Sequence, residues 1–182
     1  MVKAEVKEKE GVVLLDLKLA KKHLRIEEDY VEDDDLIELY ISSALTVAEN
    51  YTSRKFVKGQ LEILQDSTAD ITIENISMND VVQKVEVVEE GVESILLPTS
   101  SYSKVGRLNS EIYVIKFKDV ALTDGQQIKV TIDYGYDAKT LPKAIKNAML
   151  LSVGESFEKR EDRAQGNNSA VNNLLRPYKK WA

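Results

Sequence analysis

The chain has 182 residues, no cysteine, 25 basic and 31 acidic side chains and a net charge of −6. That length fits one domain, or one domain with a large insertion, and 43% apolar with 31% charged residues is a globular composition outside the disordered class. The lack of cysteine excludes disulfides, thiolate metal sites and a cysteine nucleophile, and it fits a reducing compartment.

The charge is unevenly spread. Residues 1–56 carry 9 basic and 13 acidic groups, 57–138 carry 7 and 14, and 139–182 carry 9 and 4. Broad nucleic-acid binding rests on many Lys/Arg–phosphate contacts, and an acidic chain argues against it. The basic C-terminal segment suits either solvation of a helix end or a local contact with an acidic neighbour or DNA. Residues 1–10 alternate lysine and glutamate and lack the apolar core of a signal peptide. No apolar run approaches the ~20 residues that cross a bilayer, so no membrane partner is expected.

Asp16 is placed to cap a first helix, with Leu17, Ala20 and Leu24 on one face and an end near Arg25. Residues 27–35 then hold seven carboxylates in nine positions. A second helix is expected to begin within Asp33–Asp35, where a carboxylate can accept orphan backbone N–H groups at the positive end of the dipole. Its apolar stripe is Leu36, Ile37, Tyr40, Ile41, Ala44, Val47, Ala48 and Tyr51, a 3.6-residue period.

After Phe56 the period becomes two. Ile71 and Ile73, then Tyr113, Ile115 and Phe117, then Ile128, Val130, Ile132 and Tyr134 alternate with polar residues, as antiparallel strands with one wet face do. Turn residues Asn79-Asp80, Glu90-Gly91, Gly106-Arg107 and Asp124-Gly125 separate them, for six or seven strands in a small sandwich or curved sheet. Pro142 opens a third helix whose face runs Ile145, Ala148, Met149, Ser152, Val153, Ser156, Phe157 and Arg160 and which reaches about Arg163. Gly154 within it costs about 1 kcal/mol relative to alanine, which close approach of a neighbouring helix would explain. Gly166-Asn167-Asn168 reads as a loop, and a last short helix carries Val171, Leu174, Leu175 and Tyr178, ended by Pro177.

These elements define an α+β chain. Helices from residues 14–56 and 141–181 form a discontinuous bundle, and residues 57–140 form an inserted antiparallel β domain. Chemistry is sparse. His23 is the only histidine and has no nucleophile or carboxylate partner in sequence, so a structural role is expected. The run at 27–35 has neither the glycine nor the distal glutamate of a calcium loop and reads as a solvated turn and cap. With no phosphate loop, GxSxG or HExxH, no catalytic residue, metal or cofactor is expected, and the chain reads as a non-enzyme.

Several short strings together resemble one family. Leu17, Lys21 and Leu24 with Arg25-Ile26, the acidic turn into Leu36-Ile37, Glu49-Asn50-Tyr51-Thr52, Leu141-Pro142 and Arg160-Glu161 resemble the tailed-phage head-tail connector (adaptor, or head-completion) proteins. Short members join the second and third helices almost directly, so this chain is similar to the longer, β-inserted variants. The resemblance implies a virion-assembly subunit, made in the host cytoplasm, that forms a homo-oligomeric ring under the portal. Its partners would be itself, the portal and tail-completion proteins, and DNA would pass through the lumen without sequence-specific binding. Heterologous contacts that close suit such a ring. Candidate interface residues are Tyr178 and Trp181 as aromatic anchors, with Arg160 and Arg163 meeting Asp33 and Asp34 of the next copy. Leu174 and Leu175 read instead as core. The alternative is a non-enzymatic protein- or glycan-binding module carried on a helical stem.

Overall fold

The computed structural model describes residues 2–8, 13–106, 111–159 and 169–180. The chain divides into two compact units: residues 1–10 with 57–135, and residues 11–56 with 136–182. Among the described residues the first holds two antiparallel sheets and a short 3₁₀ turn at Thr99–Ser101, and the second holds four α-helices, so the fold is α+β.

The β unit holds β1 (Val2–Glu8), β2 (Gly59–Gln65), β3 (Ile71–Glu74), β4 (Val81–Glu89), β5 (Val92–Leu96), β6 (Tyr102–Val105), β7 (Ile112–Phe117) and β8 (Gln127–Tyr134). One sheet has the order β1-β2-β8-β4-β5 and the other β3-β7-β6. Their inner faces share a core of Leu61, Ile63, Ile71, Ile73, Val85, Tyr113, Ile115, Ile128, Val130, Ile132 and Tyr134. The two-residue period predicts this core because successive side chains of a strand point to opposite faces. Among the described residues the block after Phe56 holds seven strands, β2 to β8, within the six or seven expected. An eighth, β1, comes from the N-terminal segment, where Lys3, Glu5 and Lys7 hide its strand character. It is an edge strand joined to β2 in register from Val2↔Gln65 to Glu8↔Gly59, and a charged edge is one way a sheet avoids further pairing.

Two local devices fix this unit. Lys7 donates to Glu62 at 2.9 Å, and Lys129 pairs with the other Glu62 oxygen at 3.1 Å, so one carboxylate ties β1, β2 and β8 together. At the exit from β8, Gly135 has φ +78°, and a Cβ there would run into the Val57 carbonyl oxygen. Its N–H donates to Ser77 Oγ at 2.8 Å and its carbonyl accepts from Asn79 Nδ2 at 3.0 Å. Asp80 closes the same turn by accepting from the N–H groups of Ile76 and Ser77 and from Ser77 Oγ. Burial pushes its carboxyl above the ordinary value, against those hydrogen bonds.

The helical unit holds α1 (Leu17–Leu24), α2 (Asp34–Thr52), α3 (Lys143–Glu158) and α4 (Ser169–Leu175), the last followed by a 3₁₀ turn at Arg176–Tyr178 that contains Pro177. Asp16 caps α1 as expected, its carboxylate accepting from Leu19 N–H at 2.6 Å. Asp33 precedes α2 but makes no side-chain capping bond. Both helices end in left-handed residues, Arg25 and Ser53, with Ile26 N–H on the Lys21 carbonyl and Arg54 N–H on the Glu49 carbonyl. This is the Schellman arrangement, which satisfies the last carbonyls.

The core of this unit joins Ile37, Ala44 and Ala48 of α2, Ile145, Ala148, Met149 and Val153 of α3, and Val171 and Leu175 of α4. Leu174 is only partly buried. Val47, on the expected stripe, is instead 52% exposed, because the buried arc of α2 follows Ile37, Ala44, Ala48 and Thr52 and leaves Val47 at its edge. Helix α3 is assigned through Glu158; Arg160, Arg163, Arg107 and Gly166 to Asn168, which figure in the expectations above, lie outside the described residues.

Two outcomes test this account of the β unit. Gly135→Ala should lower the stability of unfolding in denaturant by about 2–4 kcal/mol, combining left-handed strain with overpacking. Gly125→Ala, also at positive φ but with nothing within 4 Å, should cost only ~1 kcal/mol. The Glu62 carboxyl is held below its ordinary 4.5, chiefly by the Lys7 hydrogen bond and also by Lys129, against desolvation. A depressed folded pKa stabilises at pH above the unfolded value and is lost as pH falls through the folded one. Glu62→Gln should therefore lower the melting temperature at neutral pH, and the gap to the parent should close in acid.

Candidate functional site

The acidic turn is organised from below by a lysine. Lys21 lies on the inner side of α1 and is only 3% exposed. Its Nζ donates to the Glu28 carbonyl at 3.0 Å and the Tyr30 carbonyl at 2.6 Å, and it pairs with Asp34 Oδ1 at 2.8 Å. A buried ammonium is costly unless it is paired and hydrogen-bonded, and here it donates to two loop carbonyls and is charge-paired with the first residue of α2. The turn thus gains a fixed backbone, while Glu27, Glu28, Asp29 and Glu32 remain exposed. Tyr30 and Val31 are also exposed, and the Tyr30 hydroxyl lies 3.1 Å from Glu32. Among the described residues no His/Asp/Glu group has the arrangement of a metal site.

A second focus is the end of α2. Glu49 accepts from Phe56 N–H at 2.7 Å and pairs with Lys55 at 3.2 Å, bending the chain back over the last turn. Thr52 returns its hydroxyl to the Ala48 carbonyl at 2.8 Å, and its own carbonyl accepts from Lys180 N–H at 2.8 Å. Buried Arg54 donates from Nε to the Tyr178 carbonyl at 2.8 Å, and the Lys179 ammonium stands 5.2 Å from the Tyr51 ring. Tyr51 and Thr52, the end of the Glu49-Asn50-Tyr51-Thr52 string, therefore help to seat the C-terminal tail. That tail places the half-buried Tyr178 against the helical unit.

The third feature lies between α1 and α3. A Cβ at Gly154 would meet only His23, at 3.4 Å from Nε2 and 3.8 Å from Cδ2. The glycine thus leaves room beside an imidazole, and the neighbour anticipated by the sequence is a side chain of α1. Above it is an open depression of about 300 Å³ bordered by His23, Leu151, Glu155, Glu158 and Lys159.

Of the residues nominated from sequence, Asp33 and Asp34 stand at the start of α2, with Asp34 already paired to Lys21, and Tyr178 lies on the docked tail. Trp181, Arg160 and Arg163 lie outside the described residues. The structure adds Lys21 and Arg54, buried cations that position the turn and the tail. Their signal in sequence is slight: Lys21 falls on the Leu17–Leu24 face of α1, where an amphipathic helix needs an apolar residue.

Residues 15–97, which span α1, α2 and β2 to β5, match the model of a family described as Phage gp6-like head-tail connector protein. No curated protein matches the chain. A chain in the neck of an empty gene transfer agent particle, computed with C6 symmetry, shares the fold with TM-score 0.69 at 16% identity, over 98% of this chain and 96% of that one. A chain in the virion of a native gene transfer agent particle gives 0.67 at 16%, over 97% and 96%. One in the neck of the native particle, computed with C12 symmetry, gives 0.63 at 14%, over 98% and 96%.

Residues 15–97 are thus similar in sequence to the gp6-like head-tail connector proteins of phages, and the chain shares its fold with chains of gene transfer agent particles.

The Lys21 clamp is testable by itself. Lys21→Met removes the partner of two part-buried carbonyl bonds and of a partly buried carboxylate and should cost about 1–3 kcal/mol of stability. Amide exchange should accelerate through residues 26–34, with the Ile145 to Val153 core keeping its relative protection.

Proposed function

We propose that this chain forms a closed homo-oligomeric ring beneath the portal of a tailed-phage-like particle, with DNA passing through the ring. The observation that carries this reading is the connector family match across α1 and α2, joined to a fold that pairs almost end to end with chains of symmetric particle necks. The ring is made in the host cytoplasm and retained in the virion, touching the portal above and tail-completion proteins below. The helical segments 14–56 and 141–181 act as the connector core, and the β region 57–140 is an inserted domain, to which strand β1 of the N-terminal segment is added. A net charge of −6 favours a lumen that repels phosphate, so DNA slides without sticking.

Closure needs a heterologous contact, in which two different patches of one subunit meet. The basic C-terminal region, with Arg160, Arg163, Tyr178 and Trp181, is one patch, and the acidic turn with Asp33 and Asp34 is the other. Opposed charges steer encounter more than they set affinity. Assembly onto the portal should therefore slow as salt brings the screening length below ~8 Å, while the apolar anchors govern lifetime. Tyr178→Ala combined with Trp181→Ala should abolish incorporation into particles with helix content unchanged by circular dichroism. Normal yields of infectious particles from that variant would count against the C-terminal contact.

A further inference from the structure

The five-stranded sheet has two open edges, β1 and β5, and they differ. At β1 the exposed Lys3, Glu5 and Lys7 discourage further pairing. At β5 the sequence is Val-Glu-Ser-Ile-Leu over Val92–Leu96, with neither lysine nor proline, and all five residues are exposed. Val92 is 57% exposed, Ile95 59% and Leu96 64%. Successive side chains of a strand alternate, so Val92, Ser94 and Leu96 lie on one face and Glu93 and Ile95 on the other. Apolar side chains thus flank the open edge on both faces, a pattern that native sheets avoid at an edge left to water.

The main chain at this edge is turned outward as well. Leu97 N–H donates to the Val85 carbonyl at 2.8 Å, and β5 pairs with β4 in the register Glu86↔Leu96 and Val87↔Ile95. In an antiparallel ladder, residues bonded to the neighbouring strand alternate with residues that point away from it. Leu97 and Ile95 therefore bond toward β4. Ser94 and Leu96 turn their N–H and carbonyl groups to the open side, where no described strand lies. An extended backbone offers donors and acceptors at the matching spacing, so a strand is what this edge fits. The charge around it is one-sided: Glu89, Glu90 and Glu93 are exposed, and no basic residue occurs from Val85 through Ser103.

We infer that β5 is the docking edge for an extended segment of a different neck protein, one that combines apolar with basic side chains and adds a sixth strand to the sheet. Main-chain bonds to Ser94 and Leu96 hold the segment, Val92, Ile95 and Leu96 take its apolar side chains, and Glu89, Glu90 and Glu93 take its bases. Charge selects against a second copy of this chain. Two β5 edges would set Glu93 and the acidic β4–β5 turns of both copies together, and like charges across a strand pair are destabilising. Strand β1 of a second copy holds two lysines and two glutamates and so offers no net attraction. Residues 57–138 as a whole carry 7 basic against 14 acidic groups. The inference rests on the connector reading only for the chain's place in a particle neck, and it holds whether or not the ring closes.

The test uses the full-length chain with photo-reactive p-benzoylphenylalanine in place of Leu96, assembled into particles and irradiated. Coupling to one other protein of the neck is expected, at a segment that joins apolar residues with lysine or arginine. Coupling to a second copy, to DNA or to an acidic segment, or no coupling in particles that contain the chain, would overturn the inference and leave the connector reading standing. Particles that lack the chain would overturn both. The main-chain part of the contact is isolated by Ser94→Pro against Ser94→Ala. Both lose the Ser94 hydroxyl bond to Glu86 at 3.2 Å, but only proline removes the outward N–H, which β4 does not use. Ser94→Pro should lower the coupling yield by at least about tenfold, one decade of affinity, and Ser94→Ala should couple like the parent. Glu90→Lys/Glu93→Lys, at exposed positions, should lower it as well, with circular dichroism unchanged. Equal yields from the proline and alanine variants, or parental yield from the charge variant, would overturn the inference.

Discussion

A single backbone hydrogen bond, from Tyr136 N–H to the Phe56 carbonyl at 2.7 Å, marks the constraint on which the chain's organisation depends. The chain leaves the helical unit at Phe56 and returns to it at Tyr136, nearly eighty residues later, and those two residues lie side by side with their rings 6.5 Å apart. Within the β unit the same adjacency continues as β2 against β8, from Gly59↔Tyr134 to Gln65↔Ile128. Exit and return are thus held together on each side of the crossing, so α2 can end and α3 begin in one bundle despite the intervening sheets. The geometry is tight. A side chain at Gly59 would collide with the Tyr134 ring, and one at Gly135 with Val57.

From that adjacency the rest of the helical unit follows. With α2 and α3 brought together, Ile37, Ala44, Ala48, Ile145, Ala148 and Met149 close a core of small and medium side chains. What remains is polar ordering. Lys21 fixes the acidic turn at one end of α2, and Thr52 and Arg54 fix the tail at the other. Preorganised surfaces lose less entropy on association.

Much of this was legible in sequence where a period or a cap spoke for it. Asp16 marked α1, the apolar spacing marked α2 and α3, and alternation marked β3, β7 and β8, because each rests on local geometry. β1 was hidden, since its pairing is carried by backbone groups and its side chains alternate charge. The exposure of Val47 was hidden too, because a helical stripe is wider than the arc its neighbours cover. Lys21 and Arg54 escaped for a related reason. A lysine or arginine in a periodic pattern reads as surface, and only the carbonyls it meets in three dimensions reveal it as an internal clamp. The docking of Tyr178 to Lys180 reaches the tail through its main-chain atoms, the Tyr178 carbonyl and the Lys180 N–H, and these leave no trace in the tail's own residue types.

The reading of this chain as a connector is most directly tested by imaging the neck of particles from the genome that encodes it. The account predicts several copies of the chain, related by rotation about the tail axis, between portal and tail. Particles whose neck holds a single copy, or complete particles that lack the chain altogether, would contradict it.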